Sequence, residues 1–509
     1  MKRIYVLLGT LAMLGILSAC GDKTAASSSA GATEISVAWF GIQDSFDRPN
    51  AKNDVFYKQL CEKFNITFKP VQITWNDWKE KAKVWAASDQ LPDIFVSDSP
   101  LGEYFTWANQ GVIKALPADL SKFPNIKKIM DQPSVKPLAV DGKFYKFPRQ
   151  SYETADDWAN SRNIIYRKDW AAQAGYSSAP KNFEEFLSMC KAVMVQHPGI
   201  TGVSTTHNGF LLTIMLGVFP AGTHDAVWYK ENGQWKPGWT TEGFTQGVTQ
   251  LRTLYAQGIL DQDLPLLKDN DGNNKFYSGQ AFAYFGDGVR YDRNQWTAGN
   301  PNAPAETAIA YIDIWPASDG NKYYFIETPY WSELMFSARV SDEKMDTILT
   351  VLDYMSNDEY MAQRACGELN VDYKIEGGAY ISLLPLDTTL EDKYPITANV
   401  GALPTWMGPE MQSNDPIAAF YADYNKTNLV EKKATRKPMP VNFDIRLMDT
   451  PAKNRASAFN SEMLSELVQV IVAKDDPAVM WKNVITGFEG RGLKEAINEV
   501  NVRAQQMGL

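Results

Sequence analysis

Between Ile35 and Ser97 the chain alternates between two apolar patterns, and this alternation restricts the possible folds more than any other feature. "ISVAWF" (35–40) reads as a strand, Asp54 to Phe64 as a helix, and "NITFKPVQIT" (65–74) as a second strand. A helix from Asn76 to Ala87 and the strand "DIFVS" (93–97) follow. In that helix Trp78, Ala82 and Trp85 recur at i, i+4 and i+7, which places them on one face. The order βαβαβ predicts a mostly parallel sheet. In such sheets ligands lie beyond the carboxyl ends of the strands. The first binding candidates are therefore Trp39 with the loop to Asp47, and Ser97, Asp98 and Ser99.

A second α/β unit begins after Arg149. "NIIYR" (163–167) reads as a strand, and Asn182 caps a helix from Phe183 to about Val195, with Glu185 at capping-box spacing. "QAFAYFGDG" (280–288) reads as a strand ending in a glycine turn. The stripe Met345, Ile348, Leu349, Leu352 and Met355 predicts a helix, and the last third of the chain is helix-rich. The 509 residues allow two to four compact units.

The N-terminus carries its own signal. Lys2 and Arg3 precede the apolar run Ile4 to Leu17, and "SAC" follows at 18–20, so residues 1–19 read as a secretory signal too short to span a membrane. "LSAC" resembles a bacterial lipobox, which would make Cys20 the lipidated mature terminus. Residues 20–33 then form a flexible tether of small polar residues. Three other cysteines remain, Cys61, Cys190 and Cys366, an odd number that forbids complete disulfide pairing. Cys190 and Cys61 lie on helical apolar stripes and are expected to be core thiols.

The net charge of −10, with no basic run, disfavours a nucleic-acid partner. His197, His207 and His224 form no HExxH or triad pattern, and neither a GxSxG elbow, a Walker A sequence nor a GxGxxG follows the first strand. "LLKDNDGNNKF" fails as a calcium loop: with Gly272 at its sixth position, Leu267 and Ser278 occupy positions that require carboxylates. No cofactor and no metal are expected.

The span from Asp141 to Trp170 crowds rings, arginines and carboxylates together. Glu153, Asp156 and Asp157 would have to supply the acid and base of a polysaccharide-degrading enzyme. Elsewhere, aromatic residues beside Arg and Asp near strand ends fit a groove that stacks on flat apolar faces, as sugars present.

Several stretches together resemble one family. "LPDIFVSDSPLGEYFTWANQGVIKALPADL" (91–120), "DGKFYKFPRQ" (141–150), "NIIYRKDWAAQAGYSSAPKNFEEFL" (163–187) and "LTVLDYMSNDEYMAQRACGELNVDYKIEGG" (349–378) resemble segments of the family 1 extracellular solute-binding proteins of ABC importers. With the lipobox, the resemblance is to the large LplA-type lipoproteins. It implies a type II periplasmic-binding-protein-like α/β fold, two lobes joined by hinge strands with a ligand cleft between them. Lobe one would take residues 34–146 and 328–372, and lobe two residues 150–322 and 375–509.

The resemblance further implies a monomeric, lipid-anchored receptor that faces the exterior and passes an oligosaccharide to ABC permease subunits. Arg149 matches the family's arginine after the hinge proline, and Trp158 and Arg162 lie in its variable loop. Asp287 and Arg290 follow a lobe-two strand, Trp331 follows the second crossing, and Trp406 sits in "ALPTWMGPE". With Trp39 and Asp98 these are the expected ligand-binding residues. Arg149, Arg162 and Arg290 would permit an acidic sugar, since a guanidinium grips a carboxylate with two hydrogen bonds. Many relatives carry a calcium loop after the helix that here contains "NFEEFLSMCKAV", but this chain continues "MVQHPGITGVS", and no structural calcium is expected there. The alternatives are a surface polysaccharide-degrading enzyme, a receptor for a peptide or other non-sugar solute, and a surface adhesin or sensor.

Overall fold

The computed structural model of the chain describes residues 31–509, apart from 75–76, 98–102, 220–226, 269, 290–292, 387 and 449. The signal peptide, Cys20, Asp98 and Arg290 lie outside the described residues.

Strands β1 (Thr33–Phe40), β2 (Ile66–Ile73), β3 (Ile94–Ser97) and β4 (Lys146–Gln150) belong to a first sheet. Strands β5 (Asn163–Arg167), β6 (Thr201–Thr205), β7 (Trp228–Glu231), β8 (Gln234–Pro237), β9 (Ala281–Gly286) and β10 (Ile309–Ile312) follow. After β11 (Tyr323–Tyr324) the chain returns, and β12 (Tyr330–Phe336) inserts into the first sheet, giving the order β2-β1-β3-β12-β4. β1 runs parallel to β2 and β3, whereas β12 is antiparallel to both of its neighbours. The second sheet has the order β10-β5-β9-β6 and is mixed, with only β6 and β9 paired in parallel.

The βαβαβ reading matches the observed elements, with helices Val55–Phe64 and Trp78–Ala87 between β1, β2 and β3. Asp54 starts the first of these helices by accepting from the Tyr57 amide, and Asn65 ends it in the left-handed region that a short polar residue tolerates. The helix Phe183–Gln196 starts as expected at Asn182, whose side chain accepts from the Glu185 amide. Its capping box differs, because the Glu185 carboxylate takes the Lys181 amide, one residue before the cap.

Each sheet carries its own core. Val37, Phe95, Phe147 and Leu334 lie in the first, and Ile164, Val203, Phe282 and Phe285 in the second. Burial of such side chains stabilises each lobe by about 1.5–3 kcal/mol per residue. Leu390 to Leu403, assigned from the sequence to lobe two, packs instead with lobe one. Ile396, Val400 and Leu403 belong to the first core, and the buried Asp54 accepts from both the amide (2.7 Å) and the hydroxyl (2.6 Å) of Thr397. Nothing local to the sequence marks this, because the contact joins residues 343 positions apart.

Three segments join the lobes side by side. Ser151 and Tyr152 donate their amides to the Pro329 carbonyl, and Trp406 donates its amide to the Gln150 carbonyl at 2.8 Å. The Thr405 hydroxyl reaches the same carbonyl at 3.0 Å. Cys190 and Cys366 are buried and Cys61 is half-buried, and all three are free thiols.

Candidate functional site

At the junction of the lobes, Trp39, Trp331 and Trp406 gather around Arg149. Trp39 ends β1, Trp331 opens β12, and Trp406 lies on the third joining segment. Ring centres are 5.8 Å apart for Trp39 and Trp331, 6.1 Å for Trp39 and Trp406, and 5.7 Å for Trp331 and Trp406. The Arg149 guanidinium lies 4.3 Å from the ring centres of both Trp39 and Trp406. Such cation–aromatic contacts gain strength when desolvated, and Arg149 is fully buried.

That burial changes the role the sequence suggested for Arg149. Its Nε donates to the Leu403 carbonyl at 2.8 Å, one terminal nitrogen donates to the Ser332 hydroxyl at 2.9 Å, and the other to the Ala402 carbonyl. Burial first, and the nearby Arg364 charge second, lower its pKa from the ordinary guanidinium value. With its donors engaged by the protein, Arg149 organises the tryptophans and the third joining segment and presents no fork to a ligand. Arg364 fixes the same segment from the other side, donating to the Trp406 and Met407 carbonyls.

A local irregularity aims Trp331. The β12–β4 register shifts between Tyr330 and Glu333, and Ser332 adopts φ +67°, a left-handed conformation uncommon for a residue with a Cβ. In an unbroken strand, residues 331 and 333 would share a face. With the bulge, Trp331 packs against Trp39 and Trp406, while Glu333 turns toward Lys146.

In lobe two Trp158 donates its indole N–H to the Thr328 carbonyl at 2.7 Å and packs edge-on against Tyr152, which is 37% exposed. Arg162 stacks on Phe210 and Phe325, 4.5 and 4.8 Å from the ring centres. It borders a small cavity of about 150 Å³ with Asp313, Lys432 and Arg436. Asp287 is half-buried beyond β9. The structure thus brings Trp39, Arg149, Trp331 and Trp406 into one cluster and leaves Trp158 and Arg162 in a second, linked group around Phe325.

Two of the three carboxylates considered for an acid–base pair are engaged elsewhere, and Glu153 is exposed. Asp157 closes a capping box with Thr154 and pairs with Lys433 at 2.8 Å, and Asp156 accepts from the Tyr324 hydroxyl at 2.9 Å. Among the described residues no group of His, Cys, Asp and Glu could hold a metal ion.

A cavity of about 860 Å³ opens between the lobes and is lined from β4 by Lys146. The first lobe contributes Lys79, Tyr104 and Lys146 to its walls, and the second contributes Trp228, Trp239 and Ser461. Lys79 donates to the Ser461 hydroxyl across it at 3.0 Å. None of the described residues among the expected ligand-binding set lines this cavity. Lys146 could have been found: it stands three positions before Arg149 in "KFPR", and odd spacing on a strand puts the two on opposite faces.

Two α/β lobes joined by three adjacent segments, with an aromatic cluster at the junction and a cavity between the lobes, define a two-lobed binding receptor. The chain belongs to the bacterial extracellular solute-binding protein family, whose model matches residues 56–365. It is similar to Lipoprotein LipO of Bacillus subtilis (strain 168), with 20% identity over 421 residues, covering 80% of this chain and 79% of LipO. It is also similar to the fructooligosaccharide ABC transporter substrate-binding protein FusA of Streptococcus pneumoniae serotype 4, with 26% identity over 325 residues and 57% of each chain covered. Among solved structures, the alginate-binding protein AlgQ2 shares the fold, with a TM-score of 0.70, 16% identity, and 92% of this chain and 97% of that chain covered. No helix among the described residues is long and apolar enough to cross a membrane.

Proposed function

We propose that this chain is a lipid-anchored receptor of an ABC importer that captures an oligosaccharide outside the membrane, closes its two lobes over it and passes it to permease subunits. The observation that carries this reading is the Trp39, Trp331 and Trp406 cluster at the segments that join the lobes. Flat apolar sugar faces stack on indole rings, and rigid rings set by Arg149 lose little freedom on binding. FusA, whose name states a fructooligosaccharide ligand, supports the solute class. Anchoring would be through Cys20, with residues 20–33 as tether. In this reading the protein acts as a monomer and catalyses no reaction.

The test is a thermal-shift screen of residues 31–509 against oligosaccharides, monosaccharides, peptides and amino acids. A ligand at 100 times its Kd stabilises the native state by about 2.7 kcal/mol, which moves the melting point measurably. Stabilisation by an oligosaccharide recovered intact supports the reading. A response to peptides alone, or release of new reducing ends, overturns it.

A further inference from the structure

The cavity between the lobes has a polar floor that its own walls leave incomplete. Lys146 is 3% exposed and lines the cavity, with its ammonium 3.9 Å from the centre of the Tyr104 ring. Its partner Glu333, also 3% exposed, stands 4.0 Å away, beyond hydrogen-bond reach. Among the described residues Glu333 Oε2 has no hydrogen-bond partner, and the ammonium faces the Tyr104 ring and Glu333 at 4.0 Å. Buried donors and acceptors left in this state are costly, so a group that engages the ammonium from the cavity is favoured.

Charge decides which group fits. Burial pushes the Lys146 pKa down and the Glu333 pKa up, each opposed by the other's charge. As an ion pair the two carry no net charge, and Glu333 keeps a negative charge 4.0 Å from the ammonium. Three other cations of the cavity walls have acidic partners: Arg446 pairs with Glu327, Arg455 with Glu495 at 3.0 Å, and Lys83 with Glu80 and Glu103 at 3.4 and 3.6 Å, while Lys79 and Lys453 donate to the Ser461 hydroxyl and to main-chain carbonyls. A hydroxyl accepts from Lys146 without bringing charge. A carboxylate in the same place would stand beside Glu333, and like charges in a low-dielectric site repel strongly.

We propose that the Lys146–Glu333 pair selects neutral saccharides over uronates, with Lys146 donating to a ligand hydroxyl and Glu333 serving as the fixed counter-charge that turns a carboxylate away. This rests on the oligosaccharide reading above. It also replaces the acidic-sugar expectation, whose described arginines are engaged by main chain or by aromatic rings.

Calorimetric titration with matched ligands tests it: trigalacturonate against its full methyl ester, and maltotriose against its C6-oxidised form. The wild-type protein should bind the neutral member of a pair at least tenfold more tightly. Glu333→Gln should close or invert that gap by leaving the ammonium unbalanced, a gain of acid binding that misfolding cannot mimic. Lys146→Met should weaken neutral binding at least tenfold. A wild-type preference for the acid, or an unchanged ratio in Glu333→Gln, overturns the proposal. If the broader screen yields only acidic sugars, this inference falls and the oligosaccharide reading stands. If it yields only peptides, both fall.

Discussion

The Arg149 guanidinium is equidistant from the indoles of Trp39 and Trp406, 4.3 Å from the centre of each, inside a site where nothing of it reaches solvent. One cation thereby sets the spacing of two rings that come from opposite ends of the chain.

Replacing Arg149 with Met removes the hydrogen bonds to the Leu403 and Ala402 carbonyls and leaves them buried without donors. The expected loss of stability is on the order of 3 kcal/mol. Urea unfolding measures it, and a red shift of tryptophan emission should accompany it as the indoles gain water. A change within experimental error would show that the clamp is not structural.

Trp331 is half-buried, whereas Trp39 is 3% exposed. Trp331→Ala is therefore expected to weaken oligosaccharide binding at least tenfold, about 1.4 kcal/mol, while lowering the melting point less than Arg149→Met does. Calorimetric titration beside a thermal melt separates the two effects. Equal losses in both variants would assign the whole cluster to packing.

Thr397→Val deletes one hydrogen bond to the buried Asp54 carboxylate. A bond to a charged acceptor is worth about 1.5–3 kcal/mol, and that loss should appear as a lower urea midpoint. If residues 390–403 were only loosely attached to lobe one, the midpoint would not move.

What the sequence made legible follows the range of the interactions involved. The strands and helices from Ile35 to Ala87 follow from periodicity, which is a local property. The clustering of Trp39, Arg149, Trp331 and Trp406 was reachable through strand ends and a family resemblance. The engagement of Arg149 was not, because two of its acceptors are carbonyls more than 250 positions away, which no side-chain pattern marks, and the third is the Ser332 hydroxyl 183 positions away. The bulge at Ser332 was equally hidden: a serine carries no signal for positive φ, yet it decides the faces of Trp331 and Glu333. The lobe membership of Leu390 to Leu403 failed for the same reason, since an amphipathic helix does not name the core it will join.

Burial raises the thiol pKa of both Cys61 and Cys366, with Cys366 pulled back slightly by Arg364, and each reaches about 11. At about pH 8 only on the order of one molecule in a thousand then carries the reactive thiolate at either position. Native residues 31–509 should therefore alkylate slowly with iodoacetamide and fully in concentrated guanidinium, as read by mass spectrometry. Fast native labelling at Cys366 would mean that its surroundings open readily.

After the helix Phe183–Gln196 the chain turns through "HPGI" into β6, and His197 stacks on Trp170 at 4.1 Å. No carboxylate stands in that turn. EDTA is expected to leave the melting temperature unchanged, and a drop that added calcium restores would place an ion site elsewhere in the protein.

The weaving of Ile396, Val400 and Leu403 into the first core bears on the order in which the protein can mature. A ribosome or an export channel delivers the N-terminal strands first, but their hydrophobic layer stays open until the chain has emerged beyond residue 403. At about 5–20 residues per second that wait lasts roughly 15–60 s. During it β1 to β3 present unpaired edges and bare apolar faces, so the nascent chain depends on a holding factor, or on rapid passage across the membrane, to stay unaggregated until its closing segment arrives.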